Sequence, residues 1–564
     1  MKFTEYPYAR PDIDAMEAEF RSLVQAFTEA SSFAAQVEVM AQINRLRIKL
    51  STLGMIVHVR HTINTNDEFY KSEQDFWDQN SPRIDGLVNE YYRAITSSPY
   101  RTQLEQKWGK QLFRIAEMTL KTFSPEVVPD LQEENALVSE YAKLMSSAQI
   151  LFDGEECNFS QLIPYTASPD RELRKRASEA KWAFFQEHAD KLDEIYDRLV
   201  QVRTRIAKKL GYDNFIELGY ARLGRTDYNS EMVAKFRQQV KELIVPVATK
   251  LRERQARRIG VDTLRYYDEG FGFATGNPYP QGDSDWIVQR GEQMYRELSP
   301  ETDEFFTFMQ KNELMDLVAK KGKRGGGYCE PFAEYEAPFI FSNFNGTFDD
   351  VTTLTHEAGH AFQIYSSRFG VPEYADFPTL EACEIHSMSM EFFTWPWMEL
   401  FFEHETEKFK FMHLSDALLL IPYLVSVDEF QHFVYAHPEA TPQERKQAWR
   451  EIERKYLPHR NYEGNEFLEN GGFWQHQLHI YHYPFYFIDY SLAQICAFQF
   501  WKRSNENREQ AWADYLHLCK LGGSLSFTEL VKEANLISPF DTGCVQSVIG
   551  EIEAWLNMVD DCAL

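Results

Sequence analysis

A mainly α protein is predicted by three features of the chain. Apolar residues recur at helical spacing from Ile13 onward, the breaks between these runs are short (Ser97-Ser98-Pro99, Ser124-Pro125, Ala167-Ser168-Pro169), and strand-like patterning is confined to residues 325–343. With 564 residues, 44% of them hydrophobic, the chain can bury a large core. No internal repeat, low-complexity tract or flexible linker interrupts the succession of helices.

Within the helical series the run Arg252 to Arg258 interleaves its basic residues with Glu and Gln, as on a solvated helix face. Lys320 to Arg324 reads as an exposed hairpin turn. Two short strands follow it, Gly325-Gly326-Gly327-Tyr328-Cys329 and Pro338-Phe339-Ile340-Phe341-Ser342-Asn343. Next comes a helix that Asp349 or Asp350 can cap, with apolar residues at Leu354, Ala358, Ala361, Phe362, Tyr365 and Phe369 and a stop at Gly370 and Pro372.

That helix carries His356-Glu357-Ala358-Gly359-His360. Two His four residues apart point the same way and can chelate one Zn²⁺, with Glu357 beside it. A Lewis acid, an activated water and a carboxylate to deprotonate it are the working parts of peptide-bond hydrolysis. Gly359 costs a helix about 1 kcal/mol relative to Ala, so a neighbouring element is expected to pass close there. Zinc needs a third protein ligand, and Ser366 stands where the longer HExxHxxGxxH motif has its third His. The better source is the next helix, capped by Thr379 and ended by Pro396, where Glu381, Glu384, Met388 and Glu391 share one face while His386 points nearly opposite.

The segment Glu384-Ile385-His386-Ser387-Met388-Ser389-Met390-Glu391, 24 residues after His360, resembles the E-x-x-S-x-x-x-E segment of the thimet oligopeptidase and oligoendopeptidase F family of zinc metallopeptidases. The order of Gly-rich strand, apolar strand and zinc helix is also similar to that family, as are Ser168 to Ala177 and Leu210-Gly211-Tyr212 with Phe215. The resemblance spans about residues 165 to 550. It implies that Glu384 is the third ligand and that Glu391 holds a ligand His by its other ring nitrogen. It implies, too, a two-lobed helical body with a deep substrate channel and a gluzincin core, divided here as an N-terminal helical lobe over residues 1–165 and a catalytic region over 166–564.

A second cluster lies downstream. His459, His476, His479 and His482 crowd one stretch, and the run from His479 to Tyr490 is dense in rings with polar tips. Such a stripe serves core or interface as readily as catalysis. Pro484 suits the first turn of a helix, which puts Tyr486 and Tyr490 on one face with Tyr483 at its entrance. A phenol or imidazole N–H opposite the zinc stabilises the oxyanion of amide hydrolysis as it develops. In the family a His and several Tyr do this, and Tyr483 with Tyr490 reproduces its seven-residue Tyr spacing. His479 lies one or two residues closer to Tyr483 than the family pattern has it, which leaves the His to His479, His476 or His482, in that order. Substrate contacts are expected from Tyr486 and His482, and from a strand edge at Phe339 and Phe341 that could pair with an extended peptide. Gly471-Gly472 reads equally as a turn or as a substrate loop.

The net charge of −27 argues against nucleic acid and anionic membranes as partners. The longest apolar run, Ala417 to Val425, contains Pro422 and is too short to span a bilayer. The N-terminus shows no export pattern, and seven scattered Cys without CxxC pairs suggest reduced thiols, so the expected compartment is the cytoplasm. Cys383, beside Glu384, reads as a packed thiol. The expectation is thus a zinc-dependent endopeptidase for short unstructured peptides, one zinc per chain, with Glu357 as general base. The alternatives are a zinc carboxypeptidase of the helical HExxH type and a non-catalytic peptide- or zinc-binding protein on the same scaffold. An intact Glu357 argues against the latter. Oligomeric state is not encoded in any feature above.

Overall fold

Side-chain caps set the starts of the N-terminal helices. Asp12, Ser32 and Asp67 each accept a hydrogen bond from a backbone N–H two or three residues on, opening α1 (Ile13–Glu29), α2 (Phe33–Ile63) and α3 (Glu68–Thr96). The computed structural model describes residues 1–368, 370–375 and 378–564. The three helices close on a core that includes Phe20, Phe27, Ile43, Val57, Trp77 and Tyr91. Val371 and Tyr374, from the far half of the sequence, complete it, and the Tyr374 hydroxyl accepts from Leu112 N at 2.8 Å. A second, larger core runs from Phe3 and Tyr6 through α4 (Val128–Ser146) to Leu556.

Strands are few, as the patterning predicts. A short antiparallel hairpin, β1 (Ile150–Phe152) and β2 (Glu155–Cys157), carries too few residues to show an alternation in sequence. The main sheet has the order β3-β5-β4. Strand β4 (Tyr328–Phe332) runs antiparallel to β5 (Ala337–Phe344), and β3 (Met315–Val318), which the sequence reading lacks, lies parallel to β5 on its other side.

This third strand corrects two expectations. Both edges of β5 are taken, and Phe339 and Phe341 are buried at 1% and 0% exposure, so neither lies on an edge open to a peptide. The outer edges of the sheet belong to β3 and β4. Residues 320–324 do not turn a hairpin either, because β3 and β4 are not neighbours and their connection must cross the sheet. Lys323 is buried in that crossing, its ammonium 2.6 Å from Asp316 and 4.5 Å from the Phe341 ring centre.

Helix α5 (Asp349–Ser367) packs on β5, α6 (Leu380–Phe393) on α5, and α8 (Phe487–Leu521) on α6. Asp349 and Asp350 sit inside the first turn of α5 rather than capping it; Asp350 instead accepts from Asn345 N and Gly346 N and pins the preceding loop. Phe369, expected on the apolar stripe, lies outside the described residues. Pro484 falls in the turn before α8, not in its first turn. Helix α7 (Thr406–Ala436) belongs to a segment apolar enough by composition to cross a membrane, yet 72% of that segment's apolar window is buried in the fold.

Candidate active site

The site is made by one unusually close helix crossing. A Cβ on Gly359 would stand 2.6 Å from His386 O and 2.7 Å from Ser387 Cα, so only glycine lets α5 lie this near α6. The approach brings Glu384 against the two histidines. Glu384 Oε2 is 3.3 Å from His356 Nε2 and 3.6 Å from His360 Nε2. Tetrahedral zinc, with bonds of about 2.0 to 2.2 Å, separates its ligand atoms by roughly 3.3 to 3.6 Å. The donor set and its spacing therefore fit a tetrahedral metal ion.

Partners behind His356 and Glu384 fix their orientation, while the buried Nδ1 of His360 has no hydrogen-bond partner among the described residues. His356 Nδ1 donates to Glu391 Oε1 at 2.7 Å. Glu391 Oε2 accepts from His413 Nε2 at 2.6 Å, and His413 Nδ1 accepts from the indole N–H of Trp395 at 3.1 Å. Because an indole nitrogen only donates, His413 carries its proton on Nε2, and the chain Trp395, His413, Glu391, His356 has a single direction. With Nδ1 given to Glu391, Nε2 is the His356 nitrogen that faces the metal position. On the Glu384 side, Ser387 Oγ donates to Glu384 Oε2 at 2.9 Å and the Tyr486 hydroxyl donates to Oε1 at 3.1 Å.

Electrostatics agree with metal binding. Burial alone would raise the Glu384 carboxyl, but the two imidazoles and Ser387 bring it down to about 2. Burial lowers His360 to about 4, keeping it neutral and able to ligate. His356 is also buried, yet its hydrogen bonds to Glu384 and Glu391 lift it well above its ordinary value, so a cation there must displace a proton. Glu357 is the unpaired member. Its carboxylate is buried, Oε2 has no hydrogen-bond partner among the described residues, and burial lifts it to about 7. Gly327, just before β4, leaves the space beside it; a Cβ there would come 3.2 Å from Glu357 Oε1.

The His and Tyr cluster divides. Tyr486 and Tyr490 stand together, ring centres 5.0 Å apart, and burial next to Glu384 raises both phenols well above their usual range, so both stay protonated donors. His479 lies against the same pair, 6.0 Å from the Tyr490 ring. Its Nδ1 faces the Gln477 amide nitrogen at 2.7 Å, and the Gln477 carbonyl is held by the Tyr423 hydroxyl. An amide nitrogen only donates, so the His479 proton sits on Nε2, available to a ligand. Burial lowers His479 to about 4, leaving it neutral.

Other candidates fall elsewhere. His476 packs on Trp182 and Phe473 with Nδ1 on Phe473 O, and its role is in the core. His482, expected to touch substrate, packs instead with its ring 5.9 Å from that of Tyr141 on α4. Tyr483 stands at the rim, 56% exposed, its ring 6.3 Å from that of Tyr486. Gly471 and Gly472 form a tight turn, where a Cβ on Gly471 would stand 2.1 Å from Lys446 O. Cys383 is a buried thiol. His413, Trp395 and Gln477 were not singled out from sequence, for they follow no spacing motif and meet the site only through α7 and the turn before α8.

Comparison with known proteins gives the same assignment. The model of the peptidase M3 N-terminal domain matches residues 3–123, and that of peptidase family M3 matches residues 164–272 and 302–548. A solved structure described as PZ peptidase A with an inhibitor is 65% identical, covers 100% of both chains and superposes with a TM-score of 0.95. Oligopeptidase PepF of Bacillus subtilis (strain 168) is 20% identical over 97% of this chain and 86% of its own. Oligoendopeptidase-F from Enterococcus faecium shares the fold, at 14% identity and a TM-score of 0.61 over 98% of this chain and 99% of its own. The chain belongs to peptidase family M3 and is a metallo-endopeptidase of the oligoendopeptidase F kind.

Proposed function

We propose that this metallo-endopeptidase holds one zinc on His356, His360 and Glu384 and cuts short unstructured peptides with Glu357 as general base. The observation that carries the reading is Glu357 itself: a buried carboxylate with an unpartnered oxygen, next to a His, His, Glu cluster spaced for a tetrahedral ion. Neither peptide binding nor metal storage needs such a group. Bound zinc supplies Lewis-acid polarisation of the attacking water and of the scissile carbonyl.

The protein's own residues do the rest. Glu357 accepts the water proton and returns it to the leaving amine. With burial raising it to about 7 and a neighbouring cation drawing it back down, its basicity lies where proton transfer near neutral pH is efficient. Tyr490 from inside the site, Tyr483 from the exposed rim and the Nε2–H of His479 donate to the oxyanion. Tyr486 and Ser387 hold Glu384, and Glu391 with His413 holds His356.

Peptide backbone pairs with the free edge of β4, entered through the exposed Gly325-Gly326-Gly327 stretch, which runs past Glu357. Backbone pairing accepts many sequences. A site recessed between helices admits extended chains and not folded domains. The seven cysteines are free thiols, which suits a reducing compartment, and we assign the protein to the cytoplasm.

A mass-spectrometric cleavage map of peptides blocked at both ends tests the proposal. Internal cuts are expected, lost with a chelator and restored by zinc. Cleavage only of peptides with a free C-terminus would make the protein a carboxypeptidase, and cutting that survives full metal removal would refute the zinc reading.

A further inference from the structure

Phe485 has φ +69°, the left-handed region that a bulky residue rarely enters, and it sits between the rim tyrosine, Tyr483, and the inner pair, Tyr486 and Tyr490. Surrounding groups hold it there. Its N–H donates to Gln431 Oε1 at 2.6 Å, its carbonyl accepts from Arg225 Nη2 at 2.6 Å, and its ring fills the space that Gly219 leaves, where a Cβ would stand 2.7 Å away.

Arg225 does more than hold that carbonyl. The same Nη2 donates to Asp489 Oδ1 at 2.5 Å, so one nitrogen ties the last residue before Tyr486 to the residue before Tyr490. The guanidinium is 0% exposed and lies 4.4 Å from the Tyr220 ring centre and 5.3 Å from that of Tyr228. Glu381, one turn before the ligand Glu384 on α6, is likewise fully buried and lies within the field of Arg225 and Asp489.

We infer that Arg225 is a positioning residue: by bridging Phe485 O and Asp489 it locks the turn into α8 and aims the Tyr486 and Tyr490 hydroxyls at the Glu384 side of the site. The inference rests on the tyrosine roles proposed above only for its effect on rate; the locking of the turn stands on its own. A lysine keeps the charge but loses the stacking on Tyr220, and its shorter side chain sets the ammonium back from the two acceptors that Nη2 reaches.

The test uses the full chain loaded with zinc. Arg225→Lys is compared with the parent by hydrogen exchange mass spectrometry, steady-state kinetics and metal content, with Asp489→Asn as a second variant that preserves shape and one acceptor oxygen. Amides of residues 485–490 should exchange at least tenfold faster in Arg225→Lys, and less so in Asp489→Asn, with helix α6 unchanged and zinc still at one per chain. The kcat should fall about tenfold or more with KM within twofold, and combining Arg225→Lys with Tyr490→Phe should cost little more than Tyr490→Phe alone. Parental exchange of residues 485–490 in both variants overturns the inference, as does a rate loss fully additive with Tyr490→Phe. If Tyr490→Phe alone keeps the parental kcat, the tyrosine reading fails, and the exchange result still decides the role of Arg225.

Discussion

Replacing Gly359 by Ala tests whether helix spacing alone builds the metal site. Ordinary contact for a Cβ begins near 3.4 Å, whereas the added methyl would stand 2.6 Å from His386 O and 2.7 Å from Ser387 Cα. Both are backbone atoms of α6 and cannot rotate away. The helices must therefore part by about 0.8 Å, which would open the His356 and His360 distances to Glu384 from 3.3 and 3.6 Å to roughly 4.1 and 4.4 Å. A tetrahedral site tolerates about 0.2 Å in its ligand distances. Metal affinity should drop at least as far as when a ligand's supporting partner is lost, about 10- to 100-fold. Metal-free stability should change less. Overpacking costs about 1 to 3 kcal/mol, and the better helix propensity of Ala returns about 1. Chelator competition for the metal constant and thermal unfolding of the metal-free protein give the two numbers. Gly86→Ala in α3 serves as the control, since nothing lies within 4 Å of its Cβ and only the propensity gain is expected. Metal affinity of Gly359→Ala within threefold of the parent would refute the reasoning.

Other outcomes follow from the same geometry. Glu357→Gln should retain the metal and lose turnover, and residual kcat within tenfold of the parent would remove Glu357 as base. Tyr490→Phe and Tyr483→Phe should each lower kcat by about 10² to 10³ with KM nearly constant, whereas Tyr486→Phe, which frees Glu384 Oε1, should show in metal affinity; unchanged kcat in both of the first two would return these rings to packing. His413→Phe should weaken metal binding by about tenfold in chelator competition, because Glu391 loses one of its two imidazole partners. Asp428 is buried, yet His432 and Arg237 outweigh that burial and hold it down to about 2, below its unfolded value, so its contribution is present above pH 4 and lost as pH falls toward 2. Asp428→Asn should cost about 2 kcal/mol in urea unfolding at pH 7, with the gap narrowing by pH 3; a gap independent of pH would contradict the assignment.

The parts of the site that lie on single helices were legible in the sequence. His356 and His360 are bound to one face by the 3.6-residue period, and Gly359 announced a close neighbour by its cost within a helix. What sequence could not give is which elements meet. Phe339 and Phe341 read as a peptide-binding edge because β3, four residues long, has too few positions to show an alternation, yet it takes that edge and leaves the outer edges to β3 and to β4, the latter beside Gly327 and Glu357. His413 has no local pattern at all, since its function exists only where α7 crosses α6 and Glu391 can reach it. Phe485 shows the same limit in the backbone. Nothing in Tyr-Pro-Phe-Tyr demands a left-handed phenylalanine, and that conformation holds because Gln431, Gly219 and Arg225, from three distant segments, each supply one constraint. The two histidines are thus placed together by periodicity within one helix and Glu384 is singled out by the family resemblance, while the donors opposite them are set by tertiary packing. For that reason substitutions at Arg225 or Gln431, far from any motif, should bear on rate through the tyrosines, and substitutions at Gly359 should bear on the metal.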